Sequence, residues 1–236
     1  MATYILVHGG LHGGWCWENI LPRLEAGGHS VHAPDLPGVR REVPAAEVTL
    51  QNYADAVIRL AEQAGEPVVA VAHSLGGRTV SLAAEQRPEL FRTLVYVTAL
   101  IPDIAGCPPQ FVPAEDNIIR LGFYPVDDGE SMMVGDDAAM AGFYSDCSAE
   151  DAAAALRRLV PQPNRPMADP VLLSPERWGA IPRHYVLTRE DRTIPVESQR
   201  SMALALPGTV LHELPSGHSP FYTHATELAE ILLSAA

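Results

Sequence analysis

In the stretch Val69-Ala70-Val71-Ala72-His73-Ser74-Leu75-Gly76-Gly77, a serine sits between an apolar run and the start of a helical pattern. A strand that turns sharply into a helix pushes its turn residue outward, so a hydroxyl there is presented for nucleophilic attack. Small residues two before and two after it are required because helix and strand pack closely. Ala72 and Gly76 meet that need, with alanine standing where glycine is usual. The plainer alternative is a serine that only caps the helix. A hydroxyl needs an imidazole to take its proton, and the chain holds nine histidines. Of these, His218 lies in a glycine-flanked loop, Ser216-Gly217-His218-Ser219, between the last apolar run and the last helical pattern. His212 falls within that run and His224 opens the helix, while His8, His12 and His73 stand too near the serine's own segment in chain order. The carboxylate that orients the base should follow a strand between serine and histidine, and Asp191 fills that slot, with Glu190 and Asp103 as rivals. A surface ion pair with Arg189 or Arg192 is the structural alternative for Asp191. The loop His8-Gly9-Gly10-Leu11-His12-Gly13-Gly14-Trp15 lets backbone N–H groups approach a substrate oxygen. The N–H groups of Gly10 and of Leu75 are the expected oxyanion donors. This spacing is not G-x-G-x-x-G, and Asp35 in Pro34-Asp35-Leu36-Pro37-Gly38 reads as a turn residue rather than a ribose ligand.

Converging these residues requires a particular scaffold. Apolar runs at 3–8, 29–34, 67–72, 92–98, 183–188 and 209–214 predict buried strands. Helical patterns near 16–26, 50–64, 75–86, 195–205 and 224–235 alternate with them. Such alternation predicts an α/β fold with a mostly parallel, doubly wound sheet, whose ligands bind beyond the carboxyl ends of the strands. Residues 102–182 break the alternation with 11 of the 21 prolines, 13 acidic residues and 5 basic ones. They read as a cap or lid with short helices, inserted into a core of residues 1–101 and 183–236. Its aromatic and methionine residues either line a pocket or form the lid's own small core. Phe111, Phe123, Tyr124, Met140 and Phe143, with His12 and Trp178, are the candidate pocket residues.

Composition removes several function classes. The 236 residues suit one large domain, and 47% hydrophobic with 19% charged residues is ordinary globular composition. All 16 of the Lys+Arg residues are arginine, which excludes Schiff-base, pyridoxal phosphate and P-loop chemistry. A net charge of −13 makes nucleic acid and anionic membrane poor partners. Three unevenly spaced cysteines, Cys16, Cys107 and Cys147, suggest neither a disulfide framework nor a zinc site. With no apolar leader or membrane-length run, a cytoplasmic protein is expected. The acidic pairs Asp127-Asp128 and Asp136-Asp137 do not match a calcium loop.

The opening His8-Gly9-Gly10-Leu11-His12-Gly13-Gly14-Trp15-Cys16-Trp17 resembles the HG-x-x-HG-x-W-x-W segment of the plant methylesterases, hydroxynitrile lyases and their bacterial esterase relatives. Ile101-Pro102-Asp103, Phe143-Tyr144-Ser145-Asp146-Cys147, and Gln199 with Met202 extend the likeness over nearly the whole chain. The resemblance implies an α/β-hydrolase fold and a hydrolase free of metal and organic cofactors, acting on small esters under an apolar cap. Lyases of this family carry a threonine hydroxyl where this chain has Gly9 and a lysine where it has Ser219, so the resemblance is to the esterases. Lactonase or C–C bond hydrolase chemistry on the same triad, and a low-turnover ligand receptor, are the alternatives.

Overall fold

The computed structural model describes residues 1–105, 117–205 and 207–236. The chain opens with β1 (Thr3–Val7), α1 (Leu21–Ala26), β2 (Ser30–His32), α2 (Leu50–Ala64), β3 (Val68–His73), α3 (Gly76–Gln86) and β4 (Phe91–Val97). An excursion follows, with β5 (Asp103–Ile104), α4 (Ile118–Gly122), β6 (Phe123–Val126), β7 (Ser131–Val134), α5 (Asp136–Phe143), α6 (Ala149–Leu156), β8 (Gln162–Pro163), α7 (Arg165–Ala168) and β9 (Leu172–Leu173). The chain then completes the core with β10 (Arg183–Thr188), α8 (Val196–Ala203), β11 (Thr209–Leu214), α9 (Pro220–Thr223) and α10 (Ala225–Ser234).

Six strands form one sheet in the order β11-β10-β4-β3-β1-β2, and every pairing in it is parallel. Because β1 lies between β2 and β3, the winding direction reverses beside it, and a crevice opens past the carboxyl ends of β1 and β3. The central strands β1, β3 and β4 are buried on both faces, whereas the outermost strands β2 and β11 are largely solvent-accessible. Ile5, Val7, Ala70, Ala72 and Tyr96 join the core layer that includes α2 and α3 residues, while Tyr4, Leu6, Val69, Val71 and Val95 join the layer of α1 and α10. This double burial explains why the central strands appear in the sequence as near-continuous apolar runs.

Helix α2 starts at a capping box, Thr49 with Asn52, and stops at Gly65, whose φ of 71° is left-handed. Other boundaries differ from expectation by a residue or two. The helix expected over 16–26 is divided into a 3-10 turn, Gly14–Trp17, and α1, with Pro22 in the first turn of α1. The excursion, expected as short helices, also contains an antiparallel sheet, β6-β7-β8. Its tight turn uses Asp127, Asp128 and Gly129 at φ 51°, 55° and 90°, a conformation that Asp and Gly tolerate best. Pro125 is accommodated because β6 is an edge strand.

Gly77 shows how closely α3 is packed. A β-carbon there would lie 2.2 Å from the carbonyl oxygen of Leu100, whose own N–H donates to Ser74 O at 2.9 Å. Gly77→Ala should therefore lose about 2 kcal/mol or more, lowering Tm by about 4–8 °C. Gly65→Ala, with nothing within 4 Å, should lose only about 1 kcal/mol for its left-handed φ. Thermal melts followed by circular dichroism test this; equal stability of Gly77→Ala and the unsubstituted protein would contradict the packing described.

Candidate active site

Ser74 follows β3 at φ 49°, a left-handed conformation that a non-glycine residue holds only under constraint. The constraint comes from close packing on both sides. A β-carbon on Gly76 would lie 2.6 Å from His8 O, and one on Gly9 would lie 2.8 Å from Ser74 Cβ. Gly10 and Leu75 line the same cavity as Ser74, and no hydrogen bond from either amide is found among the described residues.

His218, on the loop between β11 and α9, directs Nδ1 to Asp191 Oδ2 at 2.8 Å, with both side chains buried. A carboxylate only accepts, so Nδ1 carries a proton, and in the neutral ring this leaves Nε2 as the bare nitrogen. Nε2 is buried without a hydrogen-bond partner, and no hydrogen bond joins it to Ser74 Oγ in this structure. Both residues nonetheless line one cavity. Asp191 also accepts from Thr98 Oγ1 (2.5 Å), Thr188 Oγ1 (3.1 Å), Thr193 N (2.7 Å) and Ile194 N (2.9 Å). Burial alone would raise its pKa. The nearby imidazole and the hydrogen bonds of His218, Thr98 and Ile194 outweigh burial and hold the carboxyl below its ordinary value. The rivals lie elsewhere, Asp103 exposed in β5 and Glu190 exposed in the loop.

Three further histidines act as neutral struts, a role their order in the chain does not reveal. His8 accepts the Leu36 N–H on Nε2 (3.1 Å), so its Nδ1 donates to Gly9 O (2.8 Å). His12 donates through Nδ1 to Gly10 O (2.7 Å), and its Nε2 accepts the Tyr144 hydroxyl (2.9 Å). His73 donates through Nε2 to His218 O (2.8 Å), tying the elbow strand to the base loop. Burial is the main reason all three lie below the ordinary imidazole pKa, His12 at about 3. Asp146, from the excursion, accepts from Gly217 N (2.7 Å) and holds the other side of the base loop. A β-carbon on Gly217 would lie 2.4 Å from Asp146 Oδ1, which accounts for glycine beside His218. Asp35 accepts from Gly14 N (2.9 Å) and Arg40 Nε (2.7 Å), a turn role rather than a ribose-binding one.

The cavity above Ser74 has a volume of about 300 Å³ and a mainly apolar wall. His12, Phe123 and Phe143 line it, and Phe143 stacks on His218 with centroids 5.5 Å apart. Three expectations need correction. Tyr124 is 47% exposed, because alternation along β6 turns it outward when Phe123 turns inward. Met140 packs into the excursion's own core with Ala139 and Phe143. Trp178 belongs to the main core, where its Nε1 donates to Tyr96 OH at 2.7 Å. Phe111 lies outside the described residues. Ile119, Gln162, Met167 and Ile194 line the cavity without any motif to mark them in the sequence. Among the described residues no three His, Cys, Asp or Glu side chains group closely enough to hold a metal ion, and no helix is long and apolar enough to cross a membrane.

The buried imidazoles make stability depend on pH. His12 is neutral when folded down to pH about 3 but protonates near 6.5 when unfolded, so the unfolded chain binds more protons between those values. Stability from this source is complete above pH 6.5 and falls as pH drops from there toward 3. Each such imidazole contributes a slope of about 1.4 kcal/mol per pH unit. Urea denaturation at pH 7, 6 and 5 should show this loss, and His12→Gln should reduce the slope; an unchanged slope would contradict the neutral-strut assignment.

Comparison with known proteins agrees with this geometry. The Alpha/beta hydrolase family model matches residues 4–231. Methylesterase 9 of Arabidopsis thaliana is 33% identical over 254 residues, covering 100% of this chain and 98% of that protein. Pyrethroid hydrolase of Sphingobium wenxiniae is 31% identical over 247 residues, covering 98% and 86%. The crystal structure of polyneuridine aldehyde esterase superposes with a TM-score of 0.86 at 25% identity, covering 99% of this chain and 98% of that one. The chain belongs to the alpha/beta hydrolase family.

Proposed function

We propose that this chain hydrolyses small carboxylic esters by acyl transfer through Ser74, with His218 as base and Asp191 as its orienting partner. It is a carboxylic ester hydrolase by kinship, since relatives matched along its whole length are named methylesterases, esterases and a pyrethroid hydrolase. The observation that carries the mechanism is the buried His218–Asp191 hydrogen bond, which leaves Nε2 bare beside the serine's cavity. The hydroxyl and that nitrogen face one cavity without a hydrogen bond between them, and such catalytic contacts commonly tighten only when substrate is bound.

In the first stage His218 Nε2 takes the hydroxyl proton as Oγ attacks the ester carbonyl. The N–H groups of Gly10 and Leu75 hold the developing oxyanion. His218 then gives its proton to the departing alcohol, leaving an acyl group on Ser74. A water, deprotonated by the same nitrogen, attacks this acyl group and releases the acid and the serine. Asp191 stays ionised throughout and stabilises the imidazolium. These steps need no metal or organic cofactor. The apolar wall favours substrates whose acyl or alcohol part is small and uncharged.

The lyase reaction of the wider family is disfavoured by space as well as by residue type. A β-carbon on Gly9 would lie 2.8 Å from His73 Nδ1, leaving no room for a threonine unless His73 moves.

A panel of methyl and aryl esters, lactones and diketones tests this reading. Esters should be turned over fastest, and Ser74→Ala should lower kcat by about 10⁴-fold or more with an unchanged circular dichroism spectrum. Near-native turnover in Ser74→Ala, or ligand-induced stabilisation of the unsubstituted protein with no turnover of any ester, would contradict it.

A further inference from the structure

Leu11, next to the oxyanion residue Gly10, sits at φ 65°. A left-handed leucine costs about 1–2 kcal/mol and persists only where its surroundings hold it. Both of its backbone groups are bound by the excursion that covers the site. Its carbonyl accepts from Val160 N at 2.9 Å, and its N–H donates to Gln162 Oε1 at 3.4 Å. Gln162 is only 4% exposed, and its Nε2 donates to Tyr53 OH at 3.2 Å and Pro163 O at 3.0 Å. The Pro163 carbonyl, which can only accept, fixes which end of the amide faces the loop, so the oxygen receives the Leu11 N–H. The amide also abuts the oxyanion residue, since a β-carbon on Gly10 would lie 3.4 Å from Gln162 Oε1.

We propose that Gln162 is a positioning residue for the oxyanion hole: through Leu11 it aims the Gly10 N–H at the oxygen that becomes charged on attack by Ser74. The covering segment thus takes part in the chemical step and is more than a specificity wall. This rests on the acyl-transfer reading above. Its effect belongs to the transition state, because a donor displaced by a fraction of an ångström still admits substrate but stabilises the tetrahedral oxyanion less.

Two variants separate positioning from substrate contact. Gln162→Met keeps the side-chain length without the amide. Tyr53→Phe removes one of the two groups that hold the amide, and Tyr53 lies outside the cavity lining. Gln162→Met should lower kcat about 10- to 100-fold with KM within about twofold. Affinity for a trifluoromethyl ketone, which forms a tetrahedral adduct on Ser74, should fall by the same factor. Binding of intact ester to the Ser74→Ala protein should not change when Gln162→Met is added. Tyr53→Phe should move the same quantities in the same direction by a smaller factor. Amide hydrogen exchange at Leu11 should quicken at least about tenfold in Gln162→Met. A raised KM with kcat unchanged, or unaltered Leu11 exchange in both variants, would overturn the proposal. If the unsubstituted protein neither cleaves esters nor binds the ketone, the acyl-transfer reading fails instead, and the exchange measurement still decides whether Gln162 clamps the loop.

Discussion

A buried carboxylate is the constraint on which the rest of this structure depends. Asp191 lies out of water, where an unpaired charge costs several kcal/mol, and it is tolerated because five neighbours donate to it at 3.1 Å or closer. Those donors come from three separate parts of the chain. Thr98 follows β4 at φ 38°, Thr188 ends β10 with Thr193 and Ile194 in the loop beyond, and His218 leaves β11. Satisfying one charge therefore sets the alignment of three neighbouring strands at their carboxyl ends. The imidazole held there through Nδ1 lines the cavity that Ser74 also lines.

A second layer of neutral imidazoles transmits that order to the opposite wall. His8 and His12 hold the successive carbonyls of Gly9 and Gly10, and His73 holds the base loop by its backbone. Protonation of any of them would place a charge among buried rings, since His73 and His218 have centroids 4.8 Å apart. Burial keeps them uncharged, so they hold geometry without competing for the proton that the reaction moves. The covering segment is tied into the same lattice through Tyr144, Asp146 and Gln162, and is as much scaffold as lid.

Much of this was legible in the sequence because it lies on regular elements. Strands buried on both faces read as near-continuous apolar runs, so β1 and β3 lie within a residue of the bounds their residues predict. The serine's turn demands small neighbours, and Ala72, Gly76 and Gly77 announce it. What could not be read depends on contacts between distant segments. Thr98 and Gln162 carry no motif, and their importance arises only when β4 and β8 meet the loops beside them. The pocket expectations for Tyr124, Met140 and Trp178 failed for a related reason. Hydrophobicity says that a side chain seeks burial, but whether it finds the cavity, the excursion's own core or the main core is decided by strand alternation and tertiary packing.

The central claim is that the bare nitrogen of His218, backed by Asp191, activates the hydroxyl of Ser74. Peptide mapping by mass spectrometry after treatment with an aryl organophosphonate tests it without knowledge of the natural ester. The account predicts one covalent phosphonyl adduct, on Ser74, formed at least about 100-fold more slowly in His218→Ala and in Asp191→Asn. Labelling at another residue, or equally fast labelling of Ser74 in His218→Ala, would contradict it.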